Sequence, residues 1–356
     1  MKSITAKGYK VGFTEKQYVI LNEFLNSRQY SSVFVLADSN TEEHCLPLFL
    51  SNLSTESTSI EIISIEAGEE NKHIETCSGV WSALSALGAD RKSILINLGG
   101  GVVTDLGGFV ASTFKRGIDF INIPTTLLSM VDASVGGKTG VDLGALKNQV
   151  GVIVNPKMVL VDPQYLDTLP SEEYRSGYAE MLKHGLIQDN AYWNHLKDFK
   201  KISSEGIKEL IHHSVGIKNK VVLEDPYEHG LRKILNFGHT LGHAIESYCL
   251  TQEDKTTLLH GEAIAIGMIL EAYLSTKLAG LRQEESDEIK TVFNSIYPKI
   301  DFTPNEIEAI LSLLQYDKKN SHGKVKFVLL EAIGKPVTDI EVPVALFQAS
   351  FDYYKQ

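Results

Sequence analysis

Five short apolar runs dominate the first half of the chain and narrow the folds open to it. They are Val33–Ala37 (VFVLA), Ile60–Ile65 (IEIISI), Ile94–Leu98 (ILINL), Phe120–Ile123 and Met158–Val161. None has the clean alternation of a half-exposed strand. Helical segments fall between them, such as Ile74–Leu87, which Gly88 ends. Continuous apolar runs alternating with helices describe a parallel sheet covered on both faces. From Ser171 the pattern turns helical: Ser171–Ile187, Ile202–Glu224, Thr240–Tyr248, Gly261–Ala279, Gln283–Ile296 and Pro304–Leu314. Thr303-Pro304-Asn305-Glu306 reads as a helix start. Lys326–Leu330 is the one later strand expected. The change of pattern puts a domain boundary near Asp162–Pro170, and a length of 356 residues suits two domains.

Composition removes several classes of function. Lysine and arginine number 34 against 45 aspartates and glutamates, a net charge of −11, which argues against a nucleic-acid partner. It leaves small anionic ligands open, because a pocket can be basic on an acidic chain. Cys45, Cys77 and Cys249 lie far apart without metal-binding spacing, as expected of free thiols in a reducing cytoplasm. The first residues lack the apolar core of a signal peptide. The longest uncharged apolar stretch, Phe120–Val131, has twelve residues and a proline, so no membrane span is expected.

Glycine is concentrated where chemistry is expected. Residues 99–151 hold eleven of the 28 glycines and no glutamate. The third apolar run enters Gly99-Gly100-Gly101 directly and a helix follows, in the order ILINLGGGVVTDLGGF. A strand, a glycine turn and a helix N-terminus can cradle phosphate on backbone N–H groups. The order is neither GxGxxG nor a Walker loop, so a structural turn is the competing reading. Thr125 and Thr126 stand at another strand's carboxyl end, where ligands sit in open α/β sheets. Asp132 and Lys138 flank a double glycine, either as ligand contacts or as a mutual salt bridge.

The second half carries a histidine set. His239 and His243 share a helix face at i, i+4, and His260 opens the helix after it. Glu180 and Lys183 stand i, i+3 on an upstream helix, either as site residues or as an ordinary ion pair. Histidines with a carboxylate suit a catalytic zinc site. The residues between His239 and His243 lack the glutamate of a metalloprotease base.

Taken together, these segments resemble the 3-dehydroquinate synthase family of sugar-phosphate cyclases. The specific parts are GGGVVTD (Gly99–Asp105), PTTLLSMVDASVGGKTGVD (Pro124–Asp142), LKNQVG (Leu146–Gly151) and AEMLKHG (Ala179–Gly185). EHGLRKILNFGHTLGHAIE (Glu228–Glu246), LHGEA (Leu259–Ala263) and YDKKN (Tyr316–Asn320) complete them. The resemblance implies a Rossmann-like, mostly parallel α/β NAD-binding domain over 1–165. An all-helical metal- and substrate-binding domain over 166–356 follows. It implies NAD, one divalent metal (zinc foremost, cobalt possible) and a cytoplasmic homodimer. The reaction implied converts 3-deoxy-D-arabino-heptulosonate 7-phosphate to 3-dehydroquinate and phosphate, on the shikimate route to aromatic amino acids. Its steps are transient oxidation by NAD, β-elimination of phosphate, reduction and an intramolecular aldol closure.

Site residues follow from the same resemblance. Glu180, His239 and His260 would hold the metal, with His243 facing substrate. NAD would meet Asp38, Gly68, Glu69, Lys72, Gly100, Gly101, Val102, Val103, Thr104, Asp105, Thr125, Thr126, Lys138, Lys147, Tyr165 and Thr168. Substrate would meet Asp132, Lys138, Asn148, Lys183, Lys218, Arg232 and Asn236. Arg116 would serve the other subunit's site, and one of Lys318 and Lys319 would close over phosphate. Cations in this number suit a substrate carrying carboxylate and phosphate. The chain departs from the family where Asp132-Ala133-Ser134 replaces a frequent Asp-Ser-Ser. The alternatives are a sister cyclase of the 2-deoxy-scyllo-inosose synthase type, a metal-dependent polyol dehydrogenase of the same fold, and a catalytically inactive binding protein.

Overall fold

A computed structural model describes residues 1–13, 16–54, 59–144, 146–203, 205–252, 258–314 and 325–356. The chain packs as two units, Met1–Tyr174 with Lys208–Leu223, and Arg175–Ile207 with Glu224–Gln356. The packing division therefore does not follow chain order, because Lys208–Leu223 returns to the first unit.

The first unit is built on strands β1 (Ile4–Thr5), β2 (Lys10–Gly12), β3 (Val33–Asp38), β4 (Ile60–Ile65), β5 (Ile94–Gly99) and β6 (Asp119–Pro124). The strands β7 (Lys138–Leu143), β8 (Leu146–Ile153) and β9 (Met158–Leu160) follow. Seven of these form one sheet in the order β1-β2-β9-β6-β5-β3-β4. Every pairing in it is parallel except β1 with β2. The five apolar runs are β3, β4, β5, β6 and β9, and β3 and β5 are buried along almost their whole length. The hairpin β7–β8 lies outside that sheet and was not legible as strands, since glycines and charges interrupt its pattern.

Helices α1 (Lys16–Arg28), α2 (Ser39–His44), α3 (Leu46–Asn52), α4 (Ile74–Ala86) and α5 (Gly101–Thr113) connect the strands. A core of Phe34, Leu36, Leu95, Phe120, Val103, Leu106 and Val110 with Val80 and Leu84 joins β3, β5 and β6 to α4 and α5. Two glycines set how closely α5 approaches. A Cβ on Gly107 would lie 2.0 Å from Asn97 Oδ1, and one on Gly108 would lie 2.4 Å from Thr139 Cγ2. From β3 the chain crosses to β4 at one side, while β5 leads to β6 at the other. The carboxyl ends of β3 and β5 therefore form a topological switch point, the place where open α/β sheets bind ligands.

The helices α6 (Ser171–Gln188), α7 (Asn190–Leu196), α8 (Gly206–Glu224), α9 (His239–Leu250) and α10 (His260–Leu278) come next. They are followed by α11 (Gln283–Ile296), α12 (Pro304–Leu313) and α13 (Ala345–Lys355). Among its described residues the second unit is helical apart from one hairpin, β10 (Lys326–Ala332) with β11 (Lys335–Glu341). The sequence pattern showed β10 but not β11, which has Pro336 and polar residues in an exposed strand. Helix α10 is apolar on nearly all sides and is the unit's central element. It meets α9 at backbone distance, for a Cβ on Gly267 would lie 2.0 Å from the Gly238 carbonyl oxygen.

Two glycine substitutions should therefore have opposite signs. In α4 nothing lies within 4 Å of a Cβ on Gly79, so Gly79→Ala should raise unfolding free energy by about 0.5–1 kcal/mol. Gly267→Ala gains the same propensity but must separate two helices, and should lower stability by about 1–3 kcal/mol. Urea denaturation of both variants checks the pair; a stabilised Gly267→Ala would refute the close approach.

Candidate functional sites

In the first unit the switch point supplies Asp38 from β3 and the Gly99-Gly100-Gly101 turn from β5. Gly100 is the N-cap of α5 and offers no side-chain cap, so the first N–H groups of that helix remain for a ligand. Packing requires the first two of the three glycines as well: a Cβ on Gly99 would lie 2.5 Å from Val103 Cβ, and one on Gly100 3.0 Å from Thr126 Cγ2, whereas one on Gly101 would make an ordinary contact with Ala133 at 3.6 Å. Val103 is buried in the core, and Thr104 turns its hydroxyl back to the Gly100 carbonyl at 3.1 Å. In the stretch Gly100–Asp105 the Val103 and Thr104 side chains are thus committed to the protein, and the backbone N–H groups are what is left to offer a ligand. Asp38 Oδ1 accepts the Thr41 N–H at 2.8 Å and so caps α2.

A charged network lies beside this turn. Lys72 is buried, and its Nζ donates to Asp105 Oδ2 and to Asn148 Oδ1, each at 2.7 Å. Lys147 Nζ meets Glu69 Oε1 at 2.5 Å. Asn148, at φ +51°, is held by its N–H on Asp142 Oδ1 at 2.5 Å, and the Asp142 N–H donates to the Lys72 carbonyl at 2.8 Å. Five expected cofactor or substrate residues thus stand together: Glu69, Lys72, Asp105, Lys147 and Asn148. Asp142, which joins them, was missed. Its signal is the Asp-Leu-Gly turn at 142–144, read only as part of a motif. Burial alone would lower the Lys72 pKa, but the carboxylates of Asp105 and then Glu69 outweigh it and hold it above its usual value. Its contribution is present below the ordinary lysine pKa and is lost only as pH rises through the folded-state value.

Asp132 meets Lys218 of α8, whose Nζ lies 2.7 Å from Oδ1 and also donates to the Asp132 carbonyl at 2.6 Å. Thr126 shares its hydroxyl with Ser129 at 3.0 Å, and the Thr125 N–H donates to the Gly99 carbonyl at 3.0 Å. Tyr165 is buried with its hydroxyl 2.8 Å from that of Tyr18, so its side chain belongs to the interior. Thr168 is exposed, Lys138 is exposed at the start of β7, and Arg116 stands exposed in a left-handed turn at φ +72°. Gly68, at φ +115°, opens the turn that carries Glu69.

In the second unit two helices supply the histidine cluster. His239 opens α9, His243 follows one turn later, and His260 opens α10. Their rings are mutual neighbours, with centroids 5.2, 5.5 and 5.7 Å apart. One ring nitrogen from each lies within 4.8 Å of the others, which is close enough to share a metal ion. Two of the rings are oriented from behind. His239 Nδ1 faces the Phe237 carbonyl at 3.1 Å, and His260 Nδ1 faces Glu246 Oε2 at 3.2 Å. Both contacts select the Nδ1–H tautomer and put the ring lone pair on Nε2, as metal-ligating histidines require.

Glu180, on α6, has no exposed surface and stands 3.5 Å by Oε1 from His239 Nε2. Lys183 forms the i, i+3 ion pair with its Oε2, so that expectation also holds. Among the described residues neither Glu180 oxygen accepts a hydrogen bond of good geometry. A buried carboxylate with one lysine beside it and no well-formed hydrogen bond, next to a histidine Nε2, fits a divalent cation. Arg232 is buried and donates to the Pro226 carbonyl at 2.7 Å, while Asn236 donates to Glu228 Oε1 at 2.6 Å. Lys318 and Lys319 lie outside the described residues.

A sheet with a phosphate-type switch point and a metal-competent histidine set on one chain define an α/β-plus-helical enzyme class. Residues 62–176 match the 3-dehydroquinate synthase N-terminal family and residues 177–320 the 3-dehydroquinate synthase C-terminal family. The chain is 41% identical to a 3-dehydroquinate synthase of Parabacteroides distasonis over 94% of its own length and 95% of that protein's. It is 37% identical to one from Streptococcus pyogenes, over 91% and 90%. Among solved structures, 2-epi-5-epi-valiolone synthase from Streptomyces hygroscopicus, with NAD+ and Zn2+ bound, superimposes with a TM-score of 0.87 at 25% identity, covering 100% and 99%. A 2-deoxy-scyllo-inosose synthase complexed with carbaglucose-6-phosphate, NAD+ and Co2+ gives 0.84 at 25%, covering 98% and 99%. The chain belongs to the 3-dehydroquinate synthase family.

The Lys72 pair gives a stability prediction independent of ligand. Lys72→Met leaves the half-buried Asp105 without its cation and should cost about 2–3 kcal/mol, while Lys72→Met with Asp105→Asn should recover part of that loss. Denaturant unfolding of Lys72→Met, Asp105→Asn and the double variant completes the cycle; a double-variant loss equal to the sum of the two single losses would show that the pair is not coupled.

Proposed function

We propose that this chain converts 3-deoxy-D-arabino-heptulosonate 7-phosphate to 3-dehydroquinate and phosphate, with NAD and one divalent metal ion, zinc foremost. The observation that carries the metal assignment is the buried Glu180 carboxylate beside His239 Nε2, in a cluster whose His239 and His260 rings both present Nε2. Family membership supports the reaction, and the relatives with bound NAD+ and metal support the cofactors.

In this reading Glu180, His239 and His260 hold the metal. The first N–H groups of α5 take the NAD diphosphate, and Asp38, Glu69, Lys72, Asp105, Thr125, Thr126 and Lys147 surround the rest of the cofactor. When bound, the two groups supply reversible hydride transfer and Lewis-acid polarisation of an oxygen. The protein's own part is to bind and orient a doubly anionic substrate. Lys138, Lys183, Lys218 and Arg232 offer the cations, and Arg232 brings a planar fork suited to a carboxylate. Asp132 keeps Lys218 directed. Asn148, Asn236 and His243 hydrogen-bond hydroxyl and phosphate oxygens and hold the phosphate where it can accept the proton released in its own elimination. The reading includes a cytoplasmic homodimer with Arg116 serving the other subunit's site. The buried state of all three cysteines agrees with a reducing compartment.

Purified enzyme given NAD and zinc should release stoichiometric phosphate from the heptulosonate phosphate without net NADH. Chelation should abolish the release, and zinc or cobalt should restore it. Absence of phosphate release from metal-loaded enzyme contradicts the proposal, and net NADH would indicate a polyol dehydrogenase instead. His239→Ala should lower turnover by at least about a hundredfold, since it removes a metal ligand and not an outer contact.

A further inference from the structure

Two buried glutamates with no part in the reading above connect α9 and α10 in both directions. Glu246, on α9, places Oε2 3.2 Å from Nδ1 of His260, the first residue of α10. Glu271, on α10, has no exposed surface and reaches the start of α9, whose first residue is His239. Its Oε2 accepts the Gly238 N–H at 2.7 Å and its Oε1 the Leu241 N–H at 3.3 Å.

The second contact answers a need set by the sequence. Gly238 is the N-cap of α9 at φ +79° and has no side chain with which to cap it. The role of an N-cap carboxylate therefore falls to a residue on the neighbouring helix, where the helix dipole favours a negative charge. A serine or aspartate at 238 is ruled out by space as well as by φ, because a Cβ there would lie 2.3 Å from Met268 Cγ. Placing the cap on α10 is thus the way to keep the two helices in backbone contact and still satisfy the N–H groups that lead into His239.

We propose that Glu246 and Glu271 form a reciprocal clamp that positions the two histidines for the metal, each helix fixing the first residue of the other. The clamp rests on the metal reading given above. Both are positioning residues: Glu246 acts through His260, and Glu271 through the backbone of His239. A glutamine at 271 keeps the shape, but its amide turns a donor toward one of two backbone donors. A glutamine at 246 keeps an acceptor but loses the charge that holds the His260 ring by its Nδ1.

The test is zinc affinity, measured by competition with a chromophoric chelator on wild type, Glu246→Gln, Glu271→Gln and His239→Ala. Thermal unfolding of the metal-free proteins is measured alongside. Each glutamine variant should weaken zinc binding about 10–100-fold. Glu271→Gln should also speed amide hydrogen exchange at Gly238, which Glu246→Gln should leave unchanged. Wild-type zinc affinity in both folded glutamine variants overturns the clamp, even where they unfold at lower temperature, since that would be a purely structural role. Zinc binding that survives undiminished in His239→Ala overturns the metal reading itself, and the clamp's purpose with it. If Glu271→Gln does not fold, Glu246→Gln alone decides by the same criterion.

Discussion

Burial of charge is the constraint on which the sites of this protein rest. Glu180 and Glu271 have no exposed surface, and Lys72, Lys183 and Arg232 are nearly as deep. Holding an ion away from water costs several kcal/mol after relaxation unless partners are supplied, so each of these groups dictates its surroundings. Lys72 gathers Asp105 and Asn148. Glu271 gathers the amides at the start of α9. Glu180 gathers Lys183 and a histidine, and has room in its chemistry for a cation. The glycines serve the same constraint, because close backbone contact brings these side chains within reach of one another.

The two units solve the problem of ligand capture differently. The first uses topology: opposite crossovers from β3 and β5 open a switch point, and a helix without a side-chain cap begins there. The free N–H groups at that helix start offer a ligand backbone contacts, which suits a glycine-rich segment. The second uses side-chain chemistry on rigid helices. Its histidines stand at helix starts, where carbonyl and carboxylate partners fix the rings from behind.

What was legible in the sequence follows from which signals are local. The buried strands β3, β5 and β6 were visible because both faces of a central parallel strand are apolar. Helix α11 was visible to the residue, since its apolar stripe and acidic first turn are both local. The hairpin β7–β8 was not, because its strands are held by pairing and by contact with α5, and their pattern is broken by Gly140, Gly151, Lys147 and Asn148. The site residues were legible only through the family's motifs. Spacing alone placed His239, His243 and His260 together, but left Glu180 as either a ligand or the partner of Lys183. Asp132 stood in the sequence as either a ligand contact or the partner of Lys138, six residues on, whereas the structure joins it to Lys218 of a distant helix. Glu271 stood in an apolar helix with nothing nearby in sequence to mark it, since the amides it caps are thirty residues away.

The central claim concerns which atoms hold the metal, and a crystal structure of zinc-loaded protein with anomalous scattering at the zinc edge tests it directly. The account predicts one ion bonded to Nε2 of His239, Nε2 of His260 and a Glu180 carboxylate oxygen at about 2.0–2.2 Å, with His243 outside that distance. An ion held instead by His239, His243 and His260 without Glu180, or bonded through a histidine Nδ1, would contradict it.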